Sequence, residues 1–370
     1  MIFERIGAGI DKNCIPKDIE IQLNKRMSQT MAEIRSKTKD AVCFHCGKPV
    51  TSFCKSHNVP RFCLESIGND GKVTGPNAIL GLPGMGVSIG KESIGIGEAG
   101  TFQIICRDCD SKIFQEYENP DNYSNETPPI QKMLSEIAVK NYLKFISKRK
   151  LEIALAEEML KQCPQQGIEY QLIRTEFEVR LKTSIIDLEA YTNEYRRAKK
   201  FVDKNSSNGF YIIYYKLLNY VAPIAVQAPI AVSIDFEGGI VNDVVNMNPL
   251  YRIANLHLCV LPLKNQTAII MFIDEGEKRY RKFYKQFRKY NESEKLGVIN
   301  YLIFLYCEDY FLAKGIQSAV DLDQIRNIAN LTPMVWSTEP IMHTGAYAKE
   351  FALSKWDSIP NLLSERYKVR

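Results

Sequence analysis

The strongest constraint on this 370-residue chain is a pair of short cysteine motifs that share one spacing. Cys43 and Cys46 form the first CxxC motif, and Cys106 and Cys109 form the second. Two thiolates held two residues apart on a tight turn bind a metal ion from one side, and a second pair completes a tetrahedron. The spacing therefore predicts a structural zinc ion bound by these four cysteines.

Three other residues in this stretch are alternative zinc ligands, namely Cys54, Cys63 and His45. We favour the two CxxC motifs because their spacings match. A disulfide framework is the other use of cysteines at this density, and it requires export to an oxidising compartment. The first 13 residues are interrupted by acidic side chains and contain no apolar core. We therefore predict no secretory signal, a cytoplasmic location and reduced cysteines.

The composition excludes several classes of protein. Hydrophobic residues make up 45% of the chain and aromatic residues 10%, which is incompatible with a disordered or collagen-like chain. The net charge of +5 does not by itself indicate a nucleic-acid partner. The longest apolar stretch, residues 217–234, contains polar residues and two prolines and is rich in β-branched residues. It therefore predicts buried strands, and we expect no membrane association.

Hydrophobic periodicity divides the chain into helical and strand-rich parts. The predicted helices cover residues 17–39, 130–202 (two or three helices that form a spacer or a hairpin), 277–290, 293–309 and 322–329. The predicted strands cover residues 210–218, 228–236, 251–263 and 267–274, with a hairpin turn at 264–266. A glycine-rich segment at 68–100 separates the cysteine pairs, and a linker rich in Pro, Asn and Ser covers residues 119–129.

A histidine lies between the two cysteine pairs, in the sequence SHNVP at residues 56–60. Asp110 follows the second pair directly, and Phe114 and Glu118 follow at intervals of four, which places the three on one helix face. A CxxC motif, an SHxxP step and a second CxxC that opens a helix together resemble the zinc-braced HNH endonucleases of the His-Me finger, or ββα-metal, superfamily. The resemblance covers residues 40–119, under a quarter of the chain.

The resemblance implies a treble-clef-like ββα-metal zinc module. In it, His57 is the general base that activates water against a phosphodiester. Asp110 takes the place of the family's usual metal-ligand histidine and is the implied ligand of Mg²⁺ or Mn²⁺, which prefer oxygen. The candidate supporting residues are Ser56, Asn69, Asn77 and Glu118. The two asparagines are candidates for the family's central asparagine, and neither matches that position clearly.

Residues 278–290 predict a helix with two chemically different faces. The aromatic face consists of Tyr280, Phe283, Tyr284 and Phe287. The basic face consists of Lys278, Arg281, Lys282, Lys285 and Lys289. A basic face suits a phosphate backbone, so these five residues are candidate nucleic-acid contacts; the alternative is a solvated helix face. A second basic cluster, residues 140–150, follows the zinc module.

These observations predict an α+β fold in four parts. They are an N-terminal helix (1–40), the zinc module (41–119), a linker with long helices (120–203) and an α+β domain of unassigned role (204–370). The resemblance implies a metal-dependent endonuclease, with double-stranded DNA as the expected substrate, structural Zn²⁺ and catalytic Mg²⁺ or Mn²⁺ as cofactors, and prokaryotic defence as a fitting role. The alternative is a non-catalytic zinc module that binds nucleic acid or protein. A second copy of the chain or a regulatory protein is a further candidate partner.

Overall fold

The computed structural model describes residues 25, 29–75, 93–123, 127–163, 167–204, 208–244, 246, 248, 250–329, 331 and 351–369. The helices are α1 (29–37), α2 (Arg61–Ile67), α3 (Arg107–Ile113), α4 (Gln131–Gln162), α5 (Ile168–Lys204), α6 (Tyr280–Phe287), α7 (Glu292–Tyr306) and α8 (Leu322–Ala329). The strands are β1 (Ser56–His57), β2 (Lys72–Thr74), β3 (Ser93–Gly95), β4 (Thr101–Phe102), β5 (Phe210–Leu218), β6 (Ile224–Ile230), β7 (Leu256–Pro262), β8 (Thr267–Asp274) and β9 (Tyr310–Leu312). The chain thus mixes helices and strands, as predicted.

An antiparallel sheet of seven strands, in the order β3-β2-β9-β6-β7-β8-β5, forms the centre of the molecule. The predicted hairpin at 264–266 is confirmed, because it joins the paired strands β7 and β8. The strand predicted at 228–236 lies earlier, since β6 ends at Ile230. Asp235 begins a tight turn instead, in which its Oδ1 accepts the backbone N–H of Glu237 and of Gly239.

The stretch between the two cysteine pairs contributes β2 and β3 to this sheet. β2 pairs with β9, with Thr74 opposite Leu312. Residues 41–119 and 204–370, which the sequence predicts as separate parts, therefore share one sheet.

Each face of the sheet is covered by a different set of helices. Side chains alternate along a strand, so in β7 Leu258 and Val260 pack with α6, α7 and α8. Cys259 and Leu261 of the same strand pack on the other face, with α4 and the cysteine-containing segment. The basic helix α6 and the cysteine-containing segment therefore lie on opposite faces of the sheet.

The apolar stretch at 217–234 contains the buried strand β6 (Ile224–Ile230), in line with the prediction of buried strands. Every residue of β6, β7 and β8 is buried, because helices cover both faces. Within the described ranges, no helix is long and apolar enough to cross a membrane.

The helices predicted within 130–202 form a hairpin of α4 and α5. Arg149 of α4 pairs with Asp187 of α5 through Nε and Oδ2 at 2.9 Å, and the rings of Tyr142 and Tyr191 lie 6.3 Å apart. Later residues of α4 thus lie beside earlier residues of α5, so the two helices are antiparallel. The N-terminal part of α4 packs on the cysteine-containing segment, so this hairpin lies directly beside the cysteines.

Candidate functional site

Four cysteines converge at the N-terminal end of α3, as the sequence predicts. Their Sγ atoms all lie within 4.8 Å of one another. The Sγ atoms of Cys43 and Cys109 are 3.8 Å apart, and thiolates bound at about 2.3 Å to a tetrahedral zinc ion lie about 3.8 Å from one another. The cluster of Cys43, Cys46, Cys106 and Cys109 therefore fits a zinc ion with all four positions filled by protein, which is the structural type of site.

Two local structures position these sulfur atoms. Gly47 has φ +70°, a value that glycine adopts without strain, and its N–H donates to the carbonyl of Cys43 at 2.8 Å. Cys106 precedes the first turn of α3, and its N–H donates to Cys43 Sγ at 3.2 Å. The first pair thus sits on a tight turn and the second on a helix N-terminus.

The electrostatics of the cluster favour a bound cation. Burial raises the pKa of the Cys43 thiol, but backbone N–H groups of Cys46, Cys106 and His45 outweigh burial and lower this pKa to about 7. Burial and the neighbouring sulfur atoms raise the pKa of Cys109. The first thiolate is therefore favoured while further thiolates repel one another, and a divalent cation removes that repulsion.

The three alternative ligands have other partners. His45 Nδ1 lies 2.8 Å from the Tyr195 hydroxyl of α5, and burial together with the nearby Lys199 ammonium lowers the pKa of His45 to about 4. Cys54 Sγ donates to Asp110 Oδ2 at 3.4 Å, and Cys63 is buried in the apolar core. The two CxxC motifs therefore supply the four sulfur atoms that lie close enough together to hold a metal ion.

His57 lies at the end of a short antiparallel pair that leads into α3. β1 pairs with β4, with His57 opposite Thr101, and α3 begins five residues after β4 ends. The Nε2 of His57 lies 2.8 Å from the backbone carbonyl oxygen of Ile96. A carbonyl oxygen only accepts hydrogen bonds, so Nε2 donates its N–H here, and in the neutral ring the lone pair lies on Nδ1.

Asp110 and His57 lie on opposite sides of β1. Asp110 contacts the side chains of Cys54 (Oδ2–Sγ, 3.4 Å) and Ser56 (Oδ1–Oγ, 2.5 Å). Side chains alternate in an extended segment, so Lys55 and His57 point the other way. The predicted base and the predicted metal ligand thus face different environments. Ser56 is buried, whereas His57 is half-buried and the Lys55 side chain is 52% exposed.

The oxygen atoms on the Ser56 side converge on one buried ammonium group. Lys140 of α4 is 1% exposed, and its Nζ lies 2.8 Å from Ser56 Oγ, 3.1 Å from Asp110 Oδ1 and 2.9 Å from Glu118 Oε1. The same Nζ lies 3.7 Å from the ring centroid of Phe114, which adds a cation–π contact. We call Lys140, Ser56, Asp110, Glu118 and Phe114 the lysine cluster.

The lysine cluster changes the properties of Asp110. Burial alone would raise the pKa of Asp110, but the Lys140 ammonium and the hydrogen bonds from Ser56, Lys140 and Cys54 hold this pKa below its usual value. The carboxylate is therefore ionised, and both of its oxygen atoms already have partners. As the side chains stand, the Asp110 centre does not fit a divalent cation.

Of the two candidates for the central asparagine, the structure describes Asn69, and no hydrogen bond joins it to His57 within the described residues. Asn69 exchanges two backbone hydrogen bonds with Lys72, and the two residues between them, Asp70 and Gly71, have φ +52° and +68°. Asn69 therefore closes a tight hairpin turn. Asn77 lies outside the described residues.

The basic face predicted for residues 278–290 is exposed, although the helix itself, α6, is shorter than predicted and Lys278 and Lys289 flank it. Its exposed residues are Lys278, Arg281, Lys282, Lys285 and Lys289, while Tyr280, Phe283 and Phe287 are buried and Tyr284 is half-buried. Lys282 pairs with Asp235 at 3.2 Å. The other four have no ion-pair partner within the described ranges. This face lies across the sheet from His57.

The basic cluster at 140–150 is an internal ion-pair network. Its pairs are Lys140 with Asp110 and Glu118, Lys144 with Asp309, Lys148 with Glu308, Arg149 with Glu152 and Asp187, and Lys150 with Asp40. Their charges are therefore neutralised within the fold.

Sequence reasoning missed the two groups that contact the predicted catalytic residues most closely. The carbonyl of Ile96 orients His57, and a backbone group of this kind leaves no sequence signal. Lys140 lies 30 residues after Asp110 in a helix rich in lysine, so only its burial distinguishes it from its neighbours.

Comparison with protein-family models, with curated proteins and with solved structures found no match to this chain. The features of the structure that bear on function are the four-cysteine centre, His57 and the lysine cluster.

Proposed function

We propose that this chain is a zinc-braced module of the HNH type, with a treble-clef-like ββα arrangement, that hydrolyses phosphodiester bonds of nucleic acid. The observation that supports it best is the presentation of His57. The β1–β4 pair holds this residue on the solvent side, next to a helix that begins at the second cysteine pair.

The hydrogen bonding of His57 suits a general base. The hydrogen bond to the Ile96 carbonyl oxygen assigns the proton to Nε2. In the neutral ring, Nδ1 accepts a proton from water as that water attacks phosphorus, the bond from phosphorus to the leaving oxygen breaks, and this oxygen takes a proton from solvent. The carbonyl thereby performs the orienting role that the resemblance assigns to an asparagine.

Lys55 supplies a positive charge on the same side of β1. It precedes His57 by two residues, and its ammonium group contacts Glu98 Oε1 at an exposed position. An arriving phosphate would compete with this carboxylate for the ammonium group. Since exposed ion pairs are weak, contributing about 0.2–1 kcal/mol, exchange of one anion for another is inexpensive. We assign Lys55 to the scissile phosphate.

The four-cysteine centre has a structural role in this proposal. Its donor set fits zinc, and zinc with four cysteine ligands supplies folding energy and no open position for water. No reaction step is assigned to a metal ion at Asp110, because Lys140 already contacts that carboxylate.

The test is nicking of supercoiled plasmid DNA and cleavage of single-stranded RNA, with zinc content measured for each protein preparation. We expect wild-type protein to cut one of the substrates, His57→Ala to reduce the rate at least 100-fold, the scale of general base catalysis, and Lys55→Met to reduce it less. Arg61→Met, a change at another exposed cation, is the matched control and should retain full activity. A folded, zinc-loaded wild-type protein that cuts neither substrate would refute the proposal.

The second candidate function is a non-catalytic zinc module that binds nucleic acid. Two observations favour it. The Lys140 ammonium group occupies the place at Asp110 where the resemblance implies a catalytic metal ion. The exposed basic face of α6 lies across the sheet from His57. Binding of duplex DNA that is unaffected by His57→Ala, without any cleavage, is the result expected for this candidate.

A further inference from the structure

The lysine cluster has the donor set of a cation site. Ser56 comes from β1, Asp110 from α3 and Glu118 from the segment that follows α3, and all three direct an oxygen atom at the same point. Hydroxyl and carboxylate oxygen atoms are typical ligands of Mg²⁺ and Mn²⁺. That point is occupied by Lys140 Nζ, carried by α4.

We infer that the ammonium group of Lys140 is a built-in substitute for a divalent cation, so that this centre binds no Mg²⁺ or Mn²⁺ in the native protein. The ammonium group neutralises the oxygen atoms from a distance of 2.8–3.1 Å. Magnesium requires oxygen atoms at about 2.0–2.1 Å in octahedral geometry. A cation could enter only if the Lys140 ammonium group moved away from these oxygen atoms. Lys140 is 1% exposed, so the ammonium group would then be buried without its partners.

The burial of Lys140 makes its departure costly. A buried ammonium group is stabilised only by charged or hydrogen-bonding partners, and within the described residues the polar partners of Lys140 Nζ belong to the cluster itself. The Phe114 ring closes a further side, at 3.7 Å. The cluster is therefore a fixed structural unit, unlike an exposed lysine that a metal ion or a ligand can displace.

Lys140 also joins the same segments that a metal ion would join. Through one nitrogen atom it links α4 to β1, to α3 and to the chain after α3. The contact with Ser56 lies on the residue before His57, so the ammonium group sets the position of the strand that carries the proposed base. Lys140 is a positioning residue in this sense, and it touches no reacting atom.

Removal of the lysine should expose the cation site. Asp110 Oδ1 and Glu118 Oε1 each lie about 3 Å from Nζ, so they are no more than about 6 Å apart. In Lys140→Ala the two carboxylates would face an open space without a counter-charge, and a divalent cation should bind between them. Lys140→Met is the matched control, because its side chain fills the space without a charge and leaves no room for an ion.

The experiment measures the melting temperature Tm and Mn²⁺ binding in the zinc-loaded full chain, without nucleic acid. We expect wild-type protein to show no response to Mn²⁺ or Mg²⁺. Lys140→Ala should melt at a lower temperature and recover about 5 °C when Mn²⁺ is 100 times its Kd. Neither Lys140→Met nor the double variant Lys140→Ala/Asp110→Asn should recover.

Two results would overturn the inference. One is Mn²⁺ binding by the wild-type protein that is lost in Asp110→Asn; this measurement applies even where Lys140→Ala fails to fold. The other is a Mn²⁺ response of Lys140→Ala that equals that of Lys140→Met. The outcome is separate from that of the nuclease proposal, because cation binding is measured without substrate. Cleavage that requires Mg²⁺ and Asp110 would support the nuclease and contradict the substitution by Lys140.

Discussion

Glu136 provides a prediction about pH whose size follows from the structure. It lies on α4, one turn before Lys140, and is fully buried. Its Oε2 accepts the backbone N–H groups of Glu116 (3.0 Å) and Tyr117 (2.9 Å), which positions the segment that carries Glu118. Its Oε1 has no hydrogen-bond partner within the described ranges.

Burial raises the pKa of Glu136 from 4.5 to about 7, even though the N–H groups of Tyr117 and Glu116 and the Lys132 ammonium favour the charged form. The folded protein therefore retains a proton that the unfolded chain loses as the pH rises above 4.5. The contribution to the free energy of unfolding is fully present below pH 4.5 and is lost as the pH rises through 7. At about 1.4 kcal/mol for each unit of pKa, the loss is about 3 kcal/mol.

The assay is denaturant unfolding of wild-type protein and of Glu136→Gln between pH 5 and pH 8. The amide does not ionise, so the stability of the variant relative to wild type should increase by about 3 kcal/mol from pH 4.5 to above pH 7, with most of the change inside the measured range. Any cost of burying the amide is independent of pH and shifts the whole curve. Glu157→Gln, an exposed position on the same helix, should give a flat difference. A flat difference for Glu136→Gln would refute the assignment.

Three further predictions concern other parts of the molecule. Zinc analysis should find one ion per chain in wild-type protein and less than half of that in Cys106→Ser. The variant should also lose cooperative unfolding, because a zinc ion bound by four cysteines supplies folding energy. Full zinc occupancy in the variant would contradict the ligand assignment. The double variant Arg281→Glu/Lys285→Glu should weaken duplex DNA binding. The steepness with which the logarithm of the binding constant falls with the logarithm of the salt concentration should decrease by about 2, at about 0.9 for each phosphate contact. An unchanged slope would exclude the α6 face from binding. Gly297→Ala should lower the free energy of unfolding by about 1 kcal/mol in a denaturant titration, because its Cβ would lie 2.5 Å from the Trp356 ring. The cost of overpacking, about 1–3 kcal/mol, exceeds the gain in helix propensity, about 1 kcal/mol. A more stable variant would show that the ring moves freely.

Local patterns in the sequence predicted the features that depend on local spacing. The two CxxC motifs predicted the four-cysteine cluster, because ligand geometry restricts each pair to a tight turn or a helix start. β8 and α8 were predicted at their observed bounds, since strands and helices of this length follow the period of their apolar residues. The faces of α6 were predicted for the same reason.

Features that depend on distant residues were not predictable in this way. The sequence predicted separate parts at 41–119 and 204–370. In the structure the two parts share one sheet, because β2 pairs with β9, and these strands are more than 200 positions apart in the chain. β6 ends at Ile230, before the predicted strand, and Asp235 closes a turn instead. Periodicity reports burial along one element and contains no information on which elements pair.

The sequence by itself determined the two cysteine pairs of this protein, because local backbone geometry fixes the spacing within each CxxC motif. The tertiary structure brought the two pairs together, since Cys43 and Cys109 are 66 positions apart and their Sγ atoms lie 3.8 Å from each other. Only the tertiary structure decided what surrounds the adjacent histidine. It left His57 half-buried, with Nε2 beside the Ile96 carbonyl oxygen, and it brought Lys140 from a distant helix to the carboxylate of Asp110. The physical reason is that burial and charge pairing depend on which segments pack together, and a lysine that looks solvated in the sequence becomes a fixed cation once three other segments enclose it.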